Sequence, residues 1–467
     1  MNRQLKKIGV VCTSIFHIIH TRYIVSELIK QEVEVVYINF SAKNVGETAD
    51  KLKNYLQSLD LENCDYIDFF SRQDEFDAII AHHFFPGLQL ISPKLKKIRI
   101  LYGYAKDAWN YAEWNKVFDV VLTYGPYAEK RLVNMTKVIN IGHPRLQEAY
   151  EPVKKDSTGK RFVKNQNKPI LVYCPTWTDI SSMDLFLQHL QQLEEMFVVL
   201  VKLHHNALLS NANILADMKD VYLFNEYVDL FDLLSISDIV LSDYSGAIFD
   251  AMLFRKPIVL LDTVDNHILD TGIVNTSKMT NIMESHAQIS NETSLDITVR
   301  SYVNHSKNFE EVCVFLKGVL TSEKLGYEKL LPELYSYEDE FAAKRAADAI
   351  IDTLQDVNNL KEVTYKKINV EMMRQFFEDK SPKKIAIWGA GELGQVLYAW
   401  LKSEHYYIDC FFDMDSSKIG KEIDGVSIRQ PSESHKIIIA VTNYHIQIAQ
   451  TLNEKGYKEL KDFIYPF

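Results

Sequence analysis

Residues 237–257 read SDIVLSDYSGAIFDAMLFRKP. The apolar run Ile239-Val240-Leu241 ends in a polar knot, Ser242-Asp243-Tyr244-Ser245-Gly246, and apolar residues at helical spacing follow at once (Ile248, Met252, Leu253). A strand that stops in Ser, Asp and Gly just before a helix leaves backbone N–H groups pointing outward, and these hold an anion such as a phosphate. Asp250 lies within the predicted helix, and Lys256-Pro257 closes it before a second strand at 258–261. Strand–helix–strand is the unit from which parallel α/β sheets are built.

Upstream, apolar runs predict strands at 170–173, 198–202 and 221–224. Two of them end in further polar knots: Cys174-Pro175-Thr176 and Leu203-His204-His205-Asn206, the second just after Lys202. Ligands of parallel sheets gather at the carboxyl ends of strands, so these knots and the 242–246 turn read as one crevice. Nearer the N-terminus, strands are expected at 8–12, 33–40, 78–81, 98–101 and 120–123, with a helix at 18–30. Histidines follow the first strand (His17, His20) and the third (His82, His83), and an imidazole suits a general base because it titrates near neutrality. Asp107 is a weaker carboxylate candidate. His143 reads as structural, and Trp109 and Trp114 as core. Residues 275–380 read as helical and charged.

The final region carries a different signal. A strand ending at Trp388 runs into Gly389-Ala390-Gly391-Glu392-Leu393-Gly394, then an apolar helix, then a strand at 408–412 ending at Asp413, and a third at 437–441. This is the GxGxxG fingerprint in the context it requires, with an acid about 20 residues on. It predicts a Rossmann-like domain, with Gly389, Gly391 and Gly394 approaching a phosphate and Asp413 a ribose. The expected organisation is therefore an N-terminal Rossmann-like domain (1–150), a second Rossmann-like domain with closing helices (151–355), a helical linker (356–382) and the C-terminal domain (383–467); the resemblance given below implies that the first takes the acceptor and the second the donor.

Bulk properties limit the functional classes. A chain of 467 residues exceeds one hydrophobic core. The net charge of −11 argues against a nucleic-acid binder. The five cysteines lack CxxC spacing and several lie in apolar runs, the pattern of buried free thiols in a reducing, cytoplasmic setting. No metal cluster is evident. Asp413-Met414-Asp415 has the spacing of a metal-binding pair but sits at a strand end, where a ribose contact or a turn is the simpler reading.

The order of these motifs resembles the CDP-glycerol glycerophosphotransferases of teichoic acid synthesis and their capsule-polymer relatives. The matching residues are Gly142-His143-Pro144-Arg145, Tyr173-Cys174-Pro175-Thr176, Lys202-Leu203-His204, Ser242-Asp243-Tyr244-Ser245-Gly246 with Phe249-Asp250, Lys256-Pro257, and a closing helix at 340–350. The resemblance covers roughly residues 120–355. It implies a GT-B-like pair of facing Rossmann-like domains that moves glycerol phosphate or ribitol phosphate from a CDP-activated donor to a hydroxyl of a cell-surface glycan or lipid-linked acceptor, releasing CMP. Beyond the CDP-linked donor no cofactor is expected. Contact with the inner face of the membrane would accompany a lipid-linked acceptor.

On this resemblance Lys202, Pro175, Thr176, Ser242, Asp243, Tyr244, Ser245, Gly246 and Asp250 bind the donor, with Asp250 accepting from the ribose. His204 donates to a phosphate oxygen, and His17, ahead of His82, supplies the base. The family's His-Gly-Thr-Pro-Leu-Lys stretch is replaced by Tyr102-Gly103-Tyr104-Ala105-Lys106-Asp107, and its second serine by Gly246. A GT-B glycosyltransferase using a nucleotide sugar is the alternative. The C-terminal domain resembles the nucleotide-sugar-binding domains attached to some sugar-modifying enzymes, which implies a nucleotide or nucleotide sugar there.

Overall fold

Short runs of Val, Ile and Leu, apolar on both faces, belong in the middle of parallel sheets covered by helices. The computed structural model describes residues 6–40, 47–85, 87–150, 168–176, 180–186, 189–204, 221–224, 227–263, 293–321, 324–355, 370–378, 383–432, 434–441 and 444–467. Three sheets are present. The first contains β1 (Lys6–Cys12), β2 (Val33–Asn39), β3 (Asn63–Asp65), β4 (Ala78–Ala81), β5 (Lys96–Ile100), β6 (Val120–Thr123) and β7 (Lys137–Asn140). Its order is β3-β2-β1-β4-β5-β6-β7, all parallel. The second contains β8 (Ile170–Cys174), β9 (Val198–Lys202), β10 (Val221–Phe224), β11 (Ile239–Ser242), β12 (Ile258–Leu261) and β13 (Asn304–Ser306), in the order β10-β9-β8-β11-β12-β13.

In each sheet the strand order reverses beside its first strand: at β1/β4 in the first and at β8/β11 in the second. Helices leave in opposite directions at such a switch point and open a crevice above the strand ends. The histidines after β1 and β4, and the polar knots after β8 and β11, therefore sit at the two switch points. The lobes meet there. A Cβ placed on Gly246 would lie 3.7 Å from Cβ of Ala105, and the rings of Tyr104 and Phe249 are 5.8 Å apart.

The third sheet contains β14 (Lys384–Trp388), β15 (Cys410–Phe412), β16 (Glu422–Ile423), β17 (Val426–Arg429), β18 (His435–Ile439) and β19 (Phe463–Ile464). Its order is β16-β17-β15-β14-β18-β19, with only β16 antiparallel to its neighbour. The helix Glu392–Ser403 that follows β14 is buried without a break from Gly394 to Leu401. One face covers its own sheet. The other meets the first lobe, where a Cβ on Gly87 would overlap Val396 and the hydroxyl of Tyr66 lies 3.4 Å from Oε1 of Gln395.

Two expectations need correction. The sequence places the closing helix, Ala342–Gln355, in the second domain. Its residues Ala343, Ala346, Ala347, Ile350 and Leu354 instead pack with Ile8, Val10 and Ile24 of the first lobe. The chain thus returns to the first lobe after building the second. Residues 304–306, inside the stretch read as helical, form strand β13. The expected linker falls largely at 356–369 and 379–382, outside the described residues; helix Val370–Glu378 lies between them.

Candidate functional site

The first-lobe side of the cleft is a cluster of rings. His17 lies 4.7 Å from His82 and 5.1 Å from His83; His20 lies 5.1 Å from His82 and 5.8 Å from His143 (ring centroids). The sequence offered His17 and His82 as separate candidates, and the switch point at β1/β4 brings them together. His143, read as structural, joins the cluster: its Nδ1 accepts from the backbone N–H of Arg145 at 3.2 Å, and its ring is 4.6 Å from Tyr124. Trp109 and Trp114 are buried, as expected of core residues.

Hydrogen-bond partners assign the tautomers. Nδ1 of His17 accepts from the backbone N–H of Thr13 at 3.1 Å, so in the neutral ring Nε2 carries the proton and His17 donates. Nδ1 of His82 donates to the carbonyl of Ile100 at 3.1 Å, so its Nε2 holds a lone pair. That nitrogen is buried and, among the described residues, meets no partner with hydrogen-bond geometry, although the His17 carbonyl also acts on the ring. Of the two, His82 holds the lone pair on Nε2 and His17 the proton. Burial holds His82 at a pKa of about 3, and it pushes His20 and His143 well below the ordinary imidazole value.

On the second-lobe side, β11 ends at Ser242 and helix Ala247–Leu253 starts after Gly246. The structure gives Ser242 and Asp243 a different task from the donor contact expected. Ser242 Oγ donates to the carbonyl of Cys174 at 2.6 Å. The fully buried carboxylate of Asp243 accepts from the backbone N–H groups of Thr176, Ser182 and Tyr244 and from Ser182 Oγ, at 2.6–2.8 Å. It ties the β8 and β11 loops into one unit. Tyr244 is buried beneath the guanidinium of Arg300, 3.8 Å above its ring, and Arg300 also donates to the Asp243 carbonyl.

What faces outward is the turn itself. Ser245 and Gly246 are partly exposed, and their backbone N–H groups meet no protein acceptor among the described residues. Ser245 Oγ accepts from the N–H of Ala247 at 3.3 Å. Gly246 has ordinary helical dihedrals, φ −58° and ψ −23°. Its replacement by serine, the residue the motif leads one to expect, should therefore fold normally. A melting temperature within a few degrees of the parent checks this; a large drop would mean the cleft is closed more tightly at Ala105 than described. Pro175 and Thr176 are buried at the end of β8, while Lys202 and His204 are half-buried at the end of β9.

Asp250 is partly exposed, and among the described residues no hydrogen bond holds its carboxylate. Burial pushes its pKa up to about 7, against the pull of Arg145. A carboxyl whose pKa is higher in the folded than in the unfolded protein binds its proton on folding, so its contribution falls as pH rises from about 4 to about 7. Asp250→Asn should raise the melting temperature more at pH 8 than at pH 5. Equal shifts at both pH values would contradict this. Asp107 is raised to about 6 by burial, but its carboxylate is taken by Arg131 at 2.8 Å and Tyr127 at 2.9 Å.

The turn between lobes is fastened by buried charge. Arg145 donates to Glu148 at 2.6 and 2.8 Å and to Asp229 at 2.5 Å, and lies 3.7 Å over the ring of Phe231. Asp229 caps the second-lobe helix Leu230–Ile236 by accepting from the N–H of Phe231. Arg22, from the first lobe, reaches the same Glu148 at 2.5 Å.

In the C-terminal domain the three glycines have distinct tasks. Gly389 adopts φ +122°, open to few residues but glycine, and a Cβ on Gly394 would overlap the carbonyl oxygen of Gly389. Gly391 has nothing within 4 Å of where its Cβ would be, so a ligand can approach its backbone. Asp413 accepts from Ala390 N–H and Asp415 N–H, both at 2.9 Å, and pairs with Lys418 at 3.3 Å. It thus forms the turn foreseen for Asp413-Met414-Asp415, and a ribose would have to share its carboxylate. Metal-type ligand atoms of Asp409, Cys410 and His435 gather within 4.8 Å, but Asp409 is already paired with Lys384 at 2.6 Å and His435 at 2.9 Å.

Residues 108–265, from the first-lobe cleft through the interlobe turn to the end of β12, match the family model for CDP-Glycerol:Poly(glycerophosphate) glycerophosphotransferase. The match covers about a third of the chain, and this region is similar to that family. The curated relatives match only part of the chain. The teichoic acid glycerol-phosphate primase of Bacillus subtilis (strain 168) is 32% identical over 128 residues, covering 26% of this chain and 32% of the primase. The chain covers well under half the length of the curated relatives it matches. The solved structure of the wall teichoic acid polymerase TagF aligns with a TM-score of 0.50 at 13% identity, over 76% of this chain and 90% of that one. A putative UDP-N-acetylglucosamine 2-epimerase from Listeria monocytogenes aligns equally well, at 0.50 and 13% over 77% and 99%. Both show the GT-B-like fold alone. Residues 381–463 match a second family model, C2185-like, N-terminal. No helix among the described residues is long and apolar enough to cross a membrane.

Proposed function

We propose that the chain is a CDP-polyol phosphotransferase: it moves glycerol phosphate or ribitol phosphate from a CDP-linked donor to a hydroxyl of a glycan or lipid-linked acceptor and releases CMP. One observation carries the reading. The matched region supplies the partly exposed turn of Ser245 and Gly246, whose N–H groups meet no acceptor among the described residues, and this turn abuts the first lobe at Ala105. In the reaction an acceptor oxygen attacks the phosphorus bearing the polyol, and the bond from that phosphorus to the CMP oxygen breaks. The acceptor proton passes to His82 Nε2. Phosphoryl transfer needs alignment and charge neutralisation more than covalent help. The Ser245 and Gly246 N–H groups, Lys202 and His204 hold the pyrophosphate, and His17 donates through Nε2. Asp243, Ser242 and Tyr244 position this loop from beneath.

A pyrophosphate beside His82 opposes the effect of burial, because nearby negative charge favours the imidazolium. The base is thus weak in the empty cleft and strengthens when the donor binds. His82→Ala should lower kcat by about 10²–10⁴ with little change in donor affinity, the usual range for a general base. His17→Ala should weaken donor binding as well. If His82→Ala retains full turnover, the base lies elsewhere. For the C-terminal domain the proposal is a nucleotide or nucleotide sugar held against the open backbone of Gly391 at the start of helix Glu392–Ser403.

A further inference from the structure

Phe16 begins the helix that follows β1, yet 37% of it is exposed, an unusual place to leave a phenyl ring. It is not isolated. It stacks on His20 at 5.4 Å with 25° between planes and meets Tyr102 edge-on at 6.1 Å. Tyr102 in turn stands edge-on to His82 at 6.1 Å and to His83 at 5.9 Å, and His83 lies 5.6 Å from Trp109. These rings form a floor over the ends of β1, β4 and β5. Tyr102 is three residues from Ala105, which abuts Gly246, so the floor adjoins the donor turn.

We propose that this floor, with Phe16 as its exposed ring, is the acceptor subsite, and that it takes a sugar ring rather than an anionic polyol-phosphate chain. The inference rests on the transferase reading above and adds what the acceptor is. A pyranose presents a flat face of C–H groups that packs on aromatic rings. A polyol-phosphate chain needs cations for its phosphates. Most of the floor is neutral: Phe16 and Trp109 carry no charge, and burial disfavours the charged forms of Tyr102, His20 and His82. The cation beneath it, Arg99, is fully buried and spends its donors on the His82 carbonyl, Asn110 and Asn115 at 2.6–2.9 Å.

The test is saturation-transfer NMR and titration of the full chain with two probes, N,N′-diacetylchitobiose and a tri(glycerol phosphate). The disaccharide should bind and the trimer should not compete with it. Phe16→Ala should weaken the disaccharide about tenfold, and Phe16→Trp should restore it. Thermal stabilisation by CDP should be the same in all three proteins. Binding of the trimer in place of the disaccharide, or disaccharide affinity indifferent to Phe16, would overturn the proposal. Disaccharide binding that depends on Phe16, without any stabilisation by CDP, would uphold the floor and sink the transferase reading alone.

Discussion

Replacing Asp243 by alanine should cost about 4 kcal/mol of stability, the largest effect of any single change at the cleft. The carboxylate is fully buried and satisfies four donors from three segments: Thr176 after β8, Ser182 beyond it, and Tyr244 after β11. An unsatisfied buried donor costs about 1–3 kcal/mol, and losses within one network add incompletely. Ser182→Ala removes one of the four bonds, together with the contact of Ser182 Oγ to the Tyr173 hydroxyl at 2.7 Å. It should cost about 1 kcal/mol. Denaturant unfolding of both variants decides the matter. Comparable small losses would mean that water replaces the carboxylate and that the loops are not held through it. The same variant should lose CDP-dependent stabilisation, because the Ser245 and Gly246 N–H groups are aimed by the loop that Asp243 holds.

Arg145→Met should uncouple the lobes. Removing one partner of a buried charge network typically costs about 3–5 kcal/mol, because the remaining charges are left without compensation. Here Glu148 and Asp229 would keep only Arg22, which is far more exposed than Arg145. Arg145→Lys should rescue little, since an ammonium cannot serve Glu148 through two nitrogens, reach Asp229 and lie flat on Phe231. In calorimetry the variant should show an earlier, broader transition as the lobes begin to unfold separately. An unchanged, single transition would show that the lobes are held by the apolar contacts of Tyr104, Phe249 and Tyr335 alone.

The strands with dense apolar runs were legible: β8, β9, β10, β11 and β12 lie within a residue of their expected limits. Two edge strands without such runs were not. Asn63-Cys64-Asp65 and Asn304-His305-Ser306 have no strand pattern, and only pairing with β2 and β12 makes them strands. The return of helix Ala342–Gln355 to the first lobe is set by which apolar surface is left uncovered, and local pattern does not encode that. At the site, the motifs located the loops at both switch points, but not what each side chain does. A buried Asp beside a glycine turn looks the same in sequence whether it faces a ligand or its own backbone, and Asp243 faces its backbone. Whether His17 or His82 carries the Nε2 lone pair is hidden for a similar reason. It depends on which ring nitrogen the backbone engages, Thr13 N–H in one case and the Ile100 carbonyl in the other. Phe16 carried no motif; its exposure is the signal.

The central claim is transfer from a CDP-linked donor, and the most direct measurement is release of the nucleotide. The full chain would be incubated with CDP-glycerol, CDP-ribitol, a UDP-sugar and a GDP-sugar, each with a glycan acceptor, and the freed nucleotide quantified. The account predicts CMP from one or both CDP-polyols, lost in His82→Ala, and no nucleotide from the sugars. Release of UDP or GDP from a nucleotide sugar, with the CDP-polyols untouched, would contradict it and make the chain a glycosyltransferase.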